Sequence, residues 1–176
     1  MLQSDFDFSQ LRDASERRAR FPLIVVASWI SKAPNLGGLC RTCEIFNAEL
    51  LVVANLRVRE DPAFLVTAVT SEKWQPMMEV RDEIEAVKKF LLDKKQEGYS
   101  VCGIEQATNS VSLDTFVFPP KCVLLLGREK LGIPTPLIPL MDHLVEIPQF
   151  GVIRSLNVHV SGALVLYNFS KQQKAR

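Results

Sequence analysis

No apolar run within these 176 residues reaches the ~20 that a membrane-spanning helix needs, so no spanning segment is expected among them. The first 21 residues, MLQSDFDFSQLRDASERRARF, mix acids with bases and lack the apolar centre of a secretory signal. No repeat and no low-complexity linker divides the chain, and its length predicts one domain able to bury a core. An excess of either charge is also missing. Lys and Arg number 21 against 20 Asp and Glu, and a net +1 neither demands nor excludes a nucleic-acid partner. The one local bias, Arg12, Arg17, Arg18, Arg20 and Lys32 against Asp13 and Glu16, reads as a solvated helix face. Cysteine is scarce, and the Cys40–Cys43 pair has no second pair at ligand spacing, so no metal is expected. The four thiols read as small buried side chains in a reducing intracellular compartment, cytoplasmic or nuclear.

What is present is 47% hydrophobic and 23% charged, the balance of a globular chain rather than a disordered one. Residues 5–20 predict a leading helix with Phe6, Leu11 and Ala14 inward. Phe21–Ala27 is apolar throughout, like a strand covered on both faces. After a loop marked by Pro34, Gly37 and Gly38, a helix is expected from about Gly37 to Asn47, then a strand over Glu49–Val53. A weak helix over Pro62–Val69 and a strand over Met77–Val80 follow. Arg81–Glu97 carries Ile84, Val87, Leu91 and Leu92 on one face, Glu85 and Lys89 as an i,i+4 pair, and Gly98 at the C-terminal cap. Further strands are expected at Tyr99–Ile104, Lys121–Leu126 and His143–Ile147. Apolar strands alternating with helices predict an α/β fold, a mostly parallel sheet with helices on both faces.

Ligands of such sheets bind beyond the carboxyl ends of the strands. Three loops there are rich in glycine, proline or polar residues: 28–41, 127–136 and 148–157. In the first, Asn35 precedes Arg41. An arginine on a helix is ordinarily a surface charge, but beside a glycine turn it also serves as a phosphate or carboxylate clamp. The second, Gly127–Pro134, matches neither GxGxxG nor the Walker pattern, which excludes a P-loop kinase and a dinucleotide-binding dehydrogenase. What remains is a turn whose backbone can approach a flat ligand, with Glu129 beside it. The third opens a helix on which Leu156, Val160, Ala163, Leu164 and Tyr167 recur at helical spacing, a face apolar enough to be expected inward, with Ser155 as the expected N-cap. Asn157 is a mediocre helix former for a first turn.

Together the three loops resemble the SpoU (TrmH-type) ribose methyltransferases of the SPOUT superfamily. Asn35, Gly37 and Arg41 meet the first motif, Asn-x-Gly-x-x-x-Arg. Leu124–Ile133 meets the second, a strand followed by Gly-x-Glu-x-x-Gly-Ile. Ile147–Val158 meets the third, Ile-Pro-x-x-Gly-x-x-x-Ser-Leu-Asn-Val, in full. The resemblance covers residues 22–170, behind a helical lead-in at 1–21. Val69–Val80, VTSEKWQPMMEV, looks like the eukaryotic tRNA guanosine-2′-O-methyltransferases.

The resemblance implies a C-terminal trefoil knot, a feature that sequence reasoning alone would not produce. It implies S-adenosylmethionine as cofactor, held by Leu126, Gly127, Gly132, Ile147 and Leu156, with Thr70 and Ser71 as further candidates. It implies methyl transfer to a ribose 2′-hydroxyl, with the D-loop guanosine of tRNA as substrate. Arg41 takes the catalytic part by resemblance, either as base or as phosphate clamp. Asn35 and Glu129 are expected to hold Arg41, with Ser155 and Asn157 orienting substrate and loop. A homodimer through the knot region and C-terminal helix is implied, with Arg41 approaching the other protomer's cofactor. Basic extensions flank this core in bacterial relatives. Their absence here predicts weak tRNA binding by these residues alone and an RNA-gripping region in a longer parent. A knotted RNA-binding module without turnover would have lost motif residues. A base-nitrogen methyltransferase would carry different ones. A flavodoxin-like domain is disfavoured by the failed phosphate-loop patterns.

Overall fold

A computed structural model describes residues 19–129, 131–153 and 155–175, so the expected leading helix lies outside the described residues. Seven strands, β1 (Phe21–Val26), β2 (Ala48–Val53), β3 (Met77–Glu79), β4 (Ser100–Ile104), β5 (Val111–Ser112), β6 (Cys122–Leu125) and β7 (His143–Glu146), form one sheet in the order β3-β2-β1-β6-β4-β7-β5. Every neighbouring pair is parallel. The expected α/β architecture is therefore present. Alternation explains the unbroken apolar runs. Leu23 and Val25 of β1 enter one core with Leu39, Phe64 and Phe169, while Ile24 and Val26 enter another with Val87, Leu91 and Leu137. A strand buried on both faces has no polar side to show. Each of these fully buried aliphatic side chains contributes roughly 1.5–3 kcal/mol by leaving water.

Helices α1 (Ala33–Ile45), α2 (Pro62–Ala68) and α4 (Val158–Lys174) cover the first face, and α3 (Ile84–Gln96) covers the second. Two of the predicted boundaries move, each for a local reason. α1 begins at Ala33, not Gly37, because Pro34 sits in its first turn, where a missing N–H costs nothing. The glycines that read as loop markers lie inside α1, Gly37 where α2 presses on it and Gly38 under His159 of α4; a Cβ at Gly37 would lie 2.3 Å from the Phe64 carbonyl oxygen. α3 begins at Ile84, not Arg81, because the Trp29 indole N–H binds the Asp82 carbonyl at 2.9 Å and holds that residue outside the helix. On α3, Lys89 pairs with Asp93 at 2.7 Å rather than with Glu85. Strand β5 was not anticipated, since two residues carry no alternation.

The cap of α4 also differs from expectation. Asn157, not Ser155, is the N-cap, and its side-chain oxygen accepts from the N–H groups of His159 and Val160. The face of α4 that is buried carries Gly162, Val165, Leu166 and Phe169. Leu156, Val160, Leu164 and Tyr167, expected to be inward, are exposed instead.

Candidate active site

All four cysteines are buried and unpaired. Burial raises the Cys40 thiol to about 11 despite a hydrogen bond from the Ser71 hydroxyl, and burial raises Cys43 further still. Cys122 is also raised, first by its hydrogen bond with Cys102 and then by burial. Burial thus keeps all three protonated near neutrality, the form in which a thiol is a poor nucleophile. Among the described residues no cluster of His, Cys, Asp and Glu could hold a metal ion.

The chemistry collects instead at the carboxyl ends of β4, β6 and β7. There a pocket of ≈ 500 Å³ is lined by residues following each strand and by the start of α4. Leu126, Gly127, Glu129, Gly132, Ile147, Ser155, Leu156 and Asn157 all line it, so eight of the twelve expected site residues meet at one place. Asn35 stands behind them, nearly buried, and ties the three loops together. Its side-chain nitrogen donates to Glu129 Oε1 at 2.5 Å, and its oxygen accepts from Asn157 Nδ2 at 3.0 Å. Glu129 Oε2 pairs with Lys32 at 3.0 Å. One connected network thus runs from the start of α1, through the glycine turn, to the cap of α4. A polar network in which each member is satisfied fixes geometry more firmly than any one of its bonds.

The glycine turn is closed by Arg128 and Gly132, each donating its N–H to the other's carbonyl, at 2.8 and 3.0 Å. Gly132 has φ +68°, and a Cβ at Gly127 would lie 2.4 Å from the Gly132 carbonyl carbon and 2.6 Å from Ile133 N. Both contacts are backbone, which cannot swing aside as a side chain does. Gly127→Val should therefore push the turn open at a cost of about 1–3 kcal/mol. The expected result is a melting temperature lower by about 2–4 °C per kcal/mol, together with loss of ligand binding at the pocket. Calorimetry showing an unchanged melt and unchanged affinity would count against the cradle.

Four expected residues or contacts fall elsewhere. Arg41 is exposed on α1, does not line the pocket, and makes no side-chain hydrogen bond or ion pair with the described residues. Asn35 and Glu129 bind each other rather than holding Arg41, because Arg41 lies six residues further along the helix. Thr70 and Ser71 are also away from the pocket. Ser71 is buried with its hydroxyl on Cys40 Sγ at 3.4 Å, so it packs against the stretch of α1 that carries Arg41. Val69 and Thr70 hold left-handed backbone, φ +49° and +67°, an uncommon conformation for β-branched residues.

Sequence reasoning missed Lys32, Glu105, Glu146 and His159. His159, in the first turn of α4, contacts Thr42 Oγ1 through Nε2 at 2.9 Å, and its ring packs on Gly38. Burial lowers its pKa, so it is neutral at pH 7 and belongs to the α1–α4 packing. No local pattern marks the His159 contacts, since Thr42 and Gly38 lie more than 100 residues away in the chain.

Residues 22–167 match the model of the SpoU rRNA Methylase family. Over 173 residues the chain is 49% identical to "tRNA (guanosine(18)-2'-O)-methyltransferase TARBP1" of Mus musculus, covering 98% of this chain. It is 44% identical over 154 residues to the tRNA (guanosine(18)-2'-O)-methyltransferase of Saccharomyces cerevisiae, covering 87% of this chain. The chain spans only 11% of the length of each of these two relatives. Among solved structures, the TrmH/SpoU tRNA modifying enzyme of A. aeolicus superposes with TM-score 0.77 at 25% identity, over 89% of this chain and 78% of that one. The SpoU methyltransferase AviRb of Streptomyces viridochromogenes, in complex with AdoMet, shares the fold with TM-score 0.73 at 21% identity, over 96% of this chain and 62% of that one.

Proposed function

Because the chain belongs to the SpoU methylase family, we propose that it is the catalytic domain of a tRNA ribose 2′-O-methyltransferase, with the D-loop guanosine at position 18 as target. The observation that carries this reading is the Asn35–Glu129–Asn157 network, which ties three motif loops around one pocket at the strand ends. The target base and position come from the names of the relatives.

The pocket suits S-adenosylmethionine. It has apolar walls in Leu126, Ile147 and Leu156, and at Gly127 a surface where any Cβ would strike backbone. These residues and Gly132 would hold the cofactor, which supplies an electrophilic sulfonium methyl. The remaining work falls to the chain's own side chains. Asn157 fixes the start of α4, and Ser155 at the pocket wall orients the substrate. A guanidinium already carries its proton and has no free acceptor with which to take another. Arg41 therefore acts as a bidentate clamp on a substrate phosphate, placing the ribose hydroxyl in line with the methyl.

Within one chain Arg41 lies outside the pocket, and a homodimer resolves this. Leu156, Val160, Leu164 and Tyr167 form an exposed apolar stripe along α4, and the preceding loop adds Phe150, 97% exposed. Contiguous apolar surface of this kind marks an interface. Paired through α4, each protomer brings Arg41 and the exposed Thr70 to its partner's pocket, while Ser71 stays buried against Cys40. We infer that the stretch carrying Ile147, Leu156 and Asn157, which lines the same pocket as the glycine turn, is the part of the chain that forms the trefoil knot. The domain spans residues 22–176 behind the lead-in at 1–21 and works inside the cell, where tRNA is. The chain spans 11% of the two relatives above, and a longer parent supplies further RNA contacts.

The test is methylation of unmodified tRNA by the parent protein with a methyl-labelled donor, followed by mapping of the label. Label on the 2′-oxygen of the D-loop guanosine is expected. Label on a base, or none in the presence of bound cofactor, would overturn the reading.

A further inference from the structure

Three carboxylates line the pocket: Glu105, Glu129 and Glu146. Glu129 has both oxygens engaged, by Asn35 and Lys32. Glu146 receives the Ser110 hydroxyl at 2.6 Å, a bond to the loop before β5. Glu105 is placed differently. It is the first residue beyond β4, and it reaches across to the glycine turn that follows β6. Its Oε2 accepts the Ile133 N–H at 3.0 Å. The same oxygen lies so close over Gly132 that a Cβ there would be 2.2 Å away. Its second oxygen, Oε1, makes no hydrogen bond among the described residues, although the side chain borders the cavity.

This geometry has two consequences. A carboxylate bonded to a backbone N–H of the turn holds that turn at a fixed distance from the sheet, and the glycine beneath it makes the close approach sterically feasible. An ionised carboxylate only accepts, and once a ligand displaces water from the cavity its unused oxygen needs a donor. An acidic residue just past a parallel strand, at the ligand end of the sheet, is also where doubly wound nucleotide-binding folds place the acceptor for ribose hydroxyls.

We propose that Glu105 is a cofactor-binding and specificity residue, its Oε2 latching the glycine turn while its Oε1 accepts a hydrogen bond from the cofactor. The donor is a ribose hydroxyl or the amino-acid ammonium, both of which a carboxylate recognises. This inference rests on the methyltransferase reading above.

The experiment is calorimetric titration of the wild type, Glu105→Gln and Glu105→Ala with three probes. These are S-adenosylhomocysteine, its analogue lacking both ribose hydroxyls, and 5′-methylthioadenosine, which lacks the amino acid. Removing the recognised donor should weaken wild-type binding about 10- to 100-fold, the range of a hydrogen bond to a charged group. In Glu105→Gln the amide oxygen still accepts from Ile133 N–H, so the fold is kept, but an NH2 replaces the acceptor facing the ligand. The penalty for one probe should then shrink to about threefold or less, the size of a bond no longer made. The probe whose penalty disappears identifies the donor, the hydroxyl-free analogue naming the diol and methylthioadenosine the ammonium. Glu105→Ala should lose both binding and melting temperature, because the latch is gone as well. Unchanged penalties in Glu105→Gln overturn this inference and leave the cofactor pocket standing. A wild type that takes up no S-adenosylhomocysteine overturns the functional reading and this inference with it.

Discussion

Arg41→Ala should lower methyl transfer by roughly 10²–10⁴-fold, or about 3–5 kcal/mol of transition-state stabilisation. Affinity for S-adenosylhomocysteine should stay within about twofold of wild type, as for a surface substitution away from the binding contacts. The two halves of this prediction follow from one observation, that Arg41 is exposed and outside the pocket. Removing it leaves the Asn35–Glu129–Asn157 network intact, because none of those bonds involves the guanidinium. The fold should be equally unaffected, since Arg41 pairs with none of the described residues. Arg41→Lys separates clamp from base. A lysine keeps the charge and is more easily deprotonated, but it cannot bind phosphate bidentately. If Arg41 is a clamp, Lys should restore little of the loss and leave the pH profile in place. Substantial rescue with a profile shifted to lower pH would assign it the proton instead. Retained turnover in Arg41→Ala would remove the residue from the chemistry.

Much of the architecture was legible because the sheet is buried on both faces. β1, β2 and β6 announce themselves as unbroken aliphatic runs, and the alternation of strand and helix leaves few arrangements other than a parallel sheet. The helix starts were less legible. Pro34 punctuates a loop or opens a helix with equal local justification, and only the structure decides. Ser155 and Asn157 are both good caps two residues apart. The choice goes to Asn157 because it also binds Asn35, 122 residues away in the chain, a contact that no sequence window contains. Of the expected stripe, Val160, Leu164 and Tyr167 share one face of α4, Leu156 lies just before the helix, and that face points outward rather than inward. Periodicity identifies a face, and α4 has a second apolar face in Val165, Leu166 and Phe169 that takes the core. Glu105 carried no signal, because a single acid after a strand looks like any surface carboxylate. It is the backbone of a turn 28 residues later that gives it a task.

Mixing Arg41→Ala with Gly127→Val should restore activity that neither variant has alone. The first retains the pocket and lacks the arginine; the second retains the arginine on an intact α1 and has its glycine turn forced open. If Arg41 served its own chain's pocket, no combination of the two would contain a complete site. If it serves the partner across the α4 interface, each mixed dimer holds one complete site, built from the Arg41→Ala pocket and the Gly127→Val arginine. Random exchange makes half of the dimers mixed, so recovery of about a quarter of wild-type activity is the expected ceiling for a two-fold symmetric assembly. A charge placed on the exposed stripe, Leu164→Glu in both chains, should abolish the recovery and leave a monomer. That variant should still take up S-adenosylhomocysteine, because Leu164 does not line the pocket. Absence of recovery from dimers shown to have exchanged would place Arg41 in its own protomer's site. It would then require α1 to move toward the pocket before transfer.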